Sequence, residues 1–156
     1  MKKCIFSLFV IFALSQVSYG QNLDNLMRKV SQDDNVESVK IGGFLMTCGK
    51  LFGGVSNMPV TRGIKTLEVY SLENCDRSLK KEATEVFNSM KDGNGYETLI
   101  LAKEKKEGVR IMVKRDKNTI KEMVFLCMDK NDPAIIKFTG KIKDSDIEKL
   151  VNEYDK

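Results

Sequence analysis

The chain has 156 residues, four cysteines, no histidine and no tryptophan, and its formal net charge at pH 7 is +4. Without an imidazole, it cannot provide a Ser-His or Cys-His nucleophile pair, a histidine general base or a histidine metal ligand. The small net charge favours no particular class of binding partner.

The first 20 residues are typical of a secretory signal peptide. Two lysines precede an apolar run over residues 4–14, and small residues follow at Ser18 and Gly20. This run is too short to cross a membrane as a helix, which needs about 20 residues. We therefore predict cleavage near Gly20 and a periplasmic or secreted mature protein, residues 21–156, that forms one domain and has no membrane span.

Three cysteines remain after that cleavage, and they suit no metal site. Cys48, Cys75 and Cys127 are too far apart in the chain to match a zinc ligand pair. We expect neither a metal nor a cofactor. An exported chain can form disulfides, and the sequence leaves open whether these thiols form one, with Cys48–Cys75 as a candidate pair.

The first part of the mature chain predicts two helices and two strands. In chain order these are a helix with the apolar stripe Leu23, Leu26, Met27 and Val30, strands over residues 36–41 and 64–72, and a helix over residues 76–90. Asp76 is in position to cap the second of these helices through its carboxylate.

The second part predicts four strands in succession and a final helix. The strands cover residues 96–102, 109–114, 119–128 and 134–139. Their short polar connections imply an antiparallel meander. Gly93 and Gly95 suit a tight turn into the first of these strands, and Gly140 suits the exit from the last. Ser145 and Glu148 form a capping box for the final helix.

The order of these elements predicts an α+β fold. We expect two layers, with a single mixed, mostly antiparallel sheet of about six strands and about four helices packed mainly on one face. The first two strands are separated by a long connection and are free to lie parallel.

The most site-like stretch is GGFLMTCGKLFGG, residues 42–54. Its spacing fails both the Walker phosphate loop and the dinucleotide fingerprint. On a helical wheel Cys48 lies in the middle of an apolar stripe, where a thiol acts as a small hydrophobic group. We predict a short core helix with glycine ends, counted among the four helices, and a Cys48 that is more than half buried.

Other candidate groups for chemistry are weak. The basic stretch 103–121 contains no aromatic residue, so solvated hairpin turns explain it better than nucleic-acid binding, and weak attraction to an anionic surface is the alternative. Ser78 with Lys80 or Lys81 could form a Ser-Lys pair on one helix face. The carboxylates considered for acid-base work are Glu68, Glu73, Glu97 and Glu122, and they show no recognisable paired spacing.

Several segments together resemble a known family. They are Tyr70–Cys75, Gly95–Leu99, Ile120–Met123, Phe138–Ile142 and Asp146–Leu150. Their order is similar to that in the small exported Bacteroidetes proteins catalogued as domain of unknown function DUF4252, over about residues 23–154, although the glycines and cysteine around Cys48 depart from it. The resemblance implies no catalytic residues, and family members encoded near sigma-factor-type regulators suggest envelope signalling.

We therefore predict a non-enzymatic domain that binds an envelope protein or a small ligand. We expect no catalytic, cofactor-binding or metal-binding residues and no nucleic-acid partner, and the sequence does not determine the oligomeric state. The alternatives are a histidine-free hydrolase that uses Ser-Lys or carboxylate chemistry and a structural role in the envelope.

Overall fold

The computed structural model describes residues 21–43, 63–93, 95–105 and 107–147. In chain order its elements are α1 Gln21–Gln32, β1 Glu37–Ile41, β2 Ile64–Ser71, α2 Arg77–Ser89, β3 Tyr96–Glu104, β4 Glu107–Asp116, β5 Thr119–Met128 and β6 Ala134–Lys143. A third helix begins at residue 144. The predicted signal peptide and the predicted helix around Cys48 lie outside the described residues.

All six strands form one open sheet in the order β1-β2-β6-β5-β4-β3. Each neighbouring pair is antiparallel, which confirms the predicted meander of the last four strands and the α+β class. The suggestion that the first two strands lie parallel was wrong, because Val39 lies opposite Val69 in an antiparallel pair. Alternating apolar residues fit either direction, and the long connection at residues 42–63 can return the chain either way.

Helices α1 and α2 pack side by side on one face of the sheet, which we call the helix-pair face. The predicted apolar stripe of α1 is buried there together with Phe87 of α2 and with Val124 and Leu126 of β5. An ion pair between Lys29 and Glu82, 2.6 Å long, also joins the two helices. The burial of one apolar stripe per helix supplies most of the energy that holds this layer together.

The other side of the sheet, which we call the opposite face, carries a second apolar cluster. Its buried members are Ile64, Val113, Ile120, Met123 and Ile142, and Ile147 of the third helix packs against them. The described part of the chain therefore contains three helices rather than about four, and they are not all on one face. No helix in this part is long and apolar enough to cross a membrane.

Several helices and strands begin or end at residues other than the predicted ones. Strands β3, β4 and β6 run beyond their predicted ends, because backbone pairing continues through polar residues and glycines. In β6 it continues past Gly140 to the buried Ile142. Asp76 occupies the N-cap position of α2, but its side chain makes no capping hydrogen bond. The third helix already includes residue 144, so Ser145 lies inside its first turn rather than at the cap, and Glu148 falls outside the described residues.

The glycines of the second half have two different roles. Gly95 has φ +83°, a backbone conformation that favours glycine, which confirms the predicted tight turn. Gly140 does not end the last strand, because β6 continues to Lys143. Instead, Gly140 lies directly beside Gly63 in a close approach of two backbones.

Candidate interaction surface

Three of the four exposed large apolar side chains in the described residues lie next to one another on one edge strand. Leu99, Ile100 and Leu101 of β3 are 36%, 47% and 47% exposed, and we call these three residues the β3 patch. Among the described residues, β3 is the last strand of the sheet and lies next to β4 alone. An apolar edge strand with unpaired backbone groups readily pairs with another chain, and exposed apolar patches mark interaction sites.

A β-bulge spreads the β3 patch over both faces of the sheet. Thr98 lies opposite Met112 and Ile100 lies opposite Ile111, so Leu99 is the extra residue of the bulge. Ile111 packs with the cluster on the opposite face, and Ile100 therefore lies on that face. The next residue along the strand, Leu101, then points to the helix-pair face.

Ile100 also ends a row of apolar residues that crosses the whole opposite face. Each member lies opposite the next in the strand register: Val39, Val69, Ile136, Phe125, Ile111 and Ile100. The four inner residues are partly exposed, and Val39 at the far edge is 59% exposed. The β3 patch is therefore one end of a continuous apolar strip.

One carboxylate closes part of the β3 edge. The backbone N–H of Thr98 donates to Asp92 Oδ1 over 2.8 Å. A further strand cannot use that N–H group while Asp92 holds it. The accessible part of the edge therefore begins after the bulge, at Ile100.

A buried arginine supports the strand beneath the patch. Arg110, which lies opposite Leu101, is 5% exposed and donates from Nη1 to the Met90 carbonyl at the end of α2. Its Nε has no hydrogen-bond partner in the described part of the chain. Burial lowers the pKa of this guanidinium, although the charge of Asp92 acts in the other direction.

Arg110 belongs to the basic stretch that the sequence predicts to be solvated, and for this residue the prediction was wrong. Arg110 and Met112 are two residues apart on β4 and therefore share a face. The apolar residue Met112 was the available sequence signal that this face is buried, as the structure shows it to be. The rest of the basic stretch does not form one surface. Arg115 pairs with Glu97 and Asp144, and Lys121 lies 3.4 Å from Asp116.

Two of the candidate carboxylates lie in a charged cluster on the helix-pair face. Glu68 accepts from Lys40 at 2.7 Å and from the Tyr70 hydroxyl at 2.8 Å. Glu122 pairs with Lys137 at 2.6 Å. Burial alone would raise the pKa of Glu68, but Lys40, Tyr70 and Lys137 together outweigh it and lower the pKa. Burial and the Glu68 carboxylate raise the pKa of Tyr70 to about 12.

Glu68 should make the stability of the fold sensitive to acid. Because its folded pKa lies below the ordinary value of 4.5, its contribution is present above that pH and is lost as the pH falls through the folded pKa. Glu68→Gln should lower the free energy of unfolding at pH 7 by about 1 kcal/mol, with a smaller loss in acid. Urea unfolding at both pH values measures the difference.

The matched control for this experiment is Glu73→Gln. Glu73 is exposed, and its carboxylate makes no ion pair in the described residues. This variant should follow the wild-type pH profile. Equal losses for Glu68→Gln at neutral and acidic pH would contradict the role given to the charge of Glu68.

The predicted Ser-Lys pair is not assembled. Ser78 and Lys81 line a cleft of about 410 Å³ on α2, but no hydrogen bond joins them. Lys81 lies 3.8 Å from Glu85, and Lys80 donates from Nζ to the Glu73 carbonyl over 2.6 Å. The described residues therefore bring the serine and both lysines onto one helix without the contacts that nucleophile activation requires.

The thiols and acidic groups do not form a metal site in the described ranges. Cys75 is a buried free thiol, so the candidate Cys48–Cys75 disulfide is not formed, and Cys127 is also free. Burial raises the pKa of both thiols, which makes them poor nucleophiles at neutral pH. The predicted burial of Cys48 falls outside the described residues.

Together these features define an α+β domain with an open antiparallel sheet and an apolar edge strand. The chain belongs to the DUF4252 family, whose model, described as a domain of unknown function, matches residues 20–150. This confirms the family resemblance. No curated protein and no solved structure matches the chain significantly.

Proposed function

We propose that this protein is a non-enzymatic interaction domain that binds a partner protein at the β3 patch. One observation carries the proposal: three consecutive large apolar side chains are exposed on an edge strand. Such a surface invites aggregation unless a partner covers it. The part of the apolar strip nearest the patch, Ile111 and Phe125, provides additional contact area.

A protein fits this surface better than a small ligand does. Three clefts of about 410, 370 and 540 Å³ in the described residues are open to solvent, and at least two charged side chains line each of them. Small-molecule sites are usually concave and mostly apolar. The apolar residues of this domain lie instead on a sheet edge and face, which suits contact with another polypeptide.

We place this interaction in the cell envelope and connect it with envelope signalling. The basic and apolar pattern of residues 1–20 supports export. The family match begins at residue 20 and leaves the apolar run outside it. Fractionation of cells that express the tagged full-length chain tests the location, and a tagged protein that stays unprocessed in the cytoplasm would contradict it.

The binding proposal is tested with two matched substitutions. Ile100→Lys and Val39→Lys each place a charge at an exposed apolar position of an edge strand, in the same lateral row. Capture from envelope extracts, with identification by mass spectrometry, should recover the same protein with wild type and Val39→Lys. Recovery with Ile100→Lys should fall roughly tenfold or more, because a lysine would be buried at the contact.

Thermal unfolding of both variants checks that each domain is folded. Recovery that is equal for both variants, or that depends on Val39 rather than Ile100, would refute the β3 patch as the binding site.

A further inference from the structure

We infer that the partner contributes an extended segment that adds to the sheet as a seventh strand beside Ile100–Lys103. The segment carries an apolar residue next to Ile100 and an acidic residue next to Lys103. This inference rests on the proposed function, because it takes the β3 patch as the binding site and specifies the chemistry of what binds there.

The backbone of β3 offers the pairing groups for such a strand. In the part of the chain that the structure describes, residues 100–104 of β3 pair with β4 alone, from Ile100 opposite Ile111 to Glu104 opposite Glu107. In an antiparallel pair, alternate residues direct their N–H and C=O groups away from the neighbour. These outward groups can hydrogen-bond to an added peptide strand, as in other cases of β-strand addition.

The residues of β3 before Ile100 are not available for pairing with an added strand. The bulge at Leu99 interrupts the regular edge, and Asp92 occupies the N–H group of Thr98. Bulges and side chains at an edge are common devices that limit strand pairing. The added segment is therefore short and is confined to the part of β3 after the bulge.

Side chains on each face set the preferred sequence of the segment. On the opposite face, an apolar residue beside Ile100 would extend the lateral apolar row by one strand. On the helix-pair face, Lys103 is exposed and makes no ion pair in the described part of the chain. Opposite charges on neighbouring strands attract, so an acidic side chain is favoured at that position.

A second copy of β3 does not supply this chemistry. The bulge places Glu97, opposite Val113, on the opposite face, whereas Lys103 lies on the helix-pair face. An antiparallel pair of two copies keeps like faces together, so Glu97 and Lys103 cannot lie opposite each other in it. In the antiparallel register centred on Ala102, which pairs Ile100–Glu104 of both copies, Lys103 lies opposite Leu101. A segment of a different protein fits better than self-association does.

Two labelled peptides test the inference with the purified protein. The first is the octapeptide Thr-Val-Thr-Val-Glu-Val-Thr-Val, which has a valine three residues before and three residues after its glutamate and so fits either strand direction. The second has lysine in place of the glutamate. By fluorescence anisotropy, wild type should bind the acidic peptide roughly two- to fivefold more tightly than the basic one. Lys103→Glu should reverse this order, and Ile100→Lys should abolish binding of both peptides.

Lys117→Glu is the matched control, because it makes the same charge change at an exposed turn between β4 and β5. It should leave the preference for the acidic peptide unchanged. The inference is overturned if neither peptide binds, or if Lys103→Glu leaves the order of affinities unchanged. The proposed function is tested separately by capture of the partner protein. If that capture depends on Ile100 while the peptide experiment fails, the strand-addition inference is wrong and the β3 patch remains the binding site.

Discussion

Gly140→Ala is expected to lower the free energy of unfolding by about 2–4 kcal/mol. A Cβ atom at Gly140 would overlap the carbonyl oxygen of Gly63, and a Cβ atom at Gly63 would overlap the carbonyl oxygen of Lys141. Both obstacles are backbone atoms beside the register shift between Ile64 and Thr66. They cannot move aside without disturbing the pairing of β2 with β6, which joins the two halves of the sheet.

Gly93→Ala provides the matched control for this prediction. A Cβ atom there would meet nothing within 4 Å, so the change should cost about 0.5 kcal/mol or less. Urea denaturation of both variants measures the difference. A Gly140→Ala protein that unfolds at the wild-type urea concentration would show that the two backbones are not in close contact.

Arg110→Ala should also destabilise the domain strongly, by about 2–4 kcal/mol. The substitution removes the buried stem of the side chain and leaves the Met90 carbonyl without its donor at the end of α2. Arg110→Met keeps most of the buried volume and loses the hydrogen bond, so it should cost less, about 1–2 kcal/mol. The free energy of unfolding from urea titrations gives both values.

Lys141→Met tests whether the loss of a positive charge alone has this effect. Lys141 is exposed on β6, and its replacement should change stability by about 0.5 kcal/mol or less. Similar costs for Arg110→Ala and Arg110→Met would mean that packing of the stem contributes little. Wild-type stability in both would contradict the burial of this guanidinium.

The elements that follow local periodicity were predictable from the sequence. The stripe Leu23, Leu26, Met27 and Val30 identified α1, because this helix buries one face. The run of residues 119–128 between two short polar connections identified β5 with its exact bounds. The α+β class followed from the order of the elements, since short polar connections require antiparallel neighbours.

The features that depend on distant neighbours were not predictable in the same way. Gly140 was assigned to a strand exit because nothing in its local sequence shows that Gly63 lies against it. Arg110 was counted as solvated because its charge, considered alone, favours water. Its burial depends on Met90, which is 20 positions away in the chain.

The β3 patch likewise has one feature that the local sequence predicts and one that depends on distant parts of the chain. The sequence predicts the strand from Tyr96 to Ala102, but the exposure of its apolar side chains follows from its place at the sheet edge. Strand order depends on which elements pair across the whole chain, and local alternation does not encode it. The sequence therefore predicts a binding domain but does not predict where its binding surface lies.

Amide hydrogen exchange along β3 tests the central claim most directly. In the free protein, outward backbone N–H groups between Ile100 and Lys103 should exchange quickly, while amides of the central strands β5 and β6 remain protected. Addition of the captured partner protein should slow exchange between Ile100 and Lys103 and leave β1 unchanged. Slower exchange confined to β1 or to the helices, with β3 unchanged, would show that the β3 patch is not the binding site.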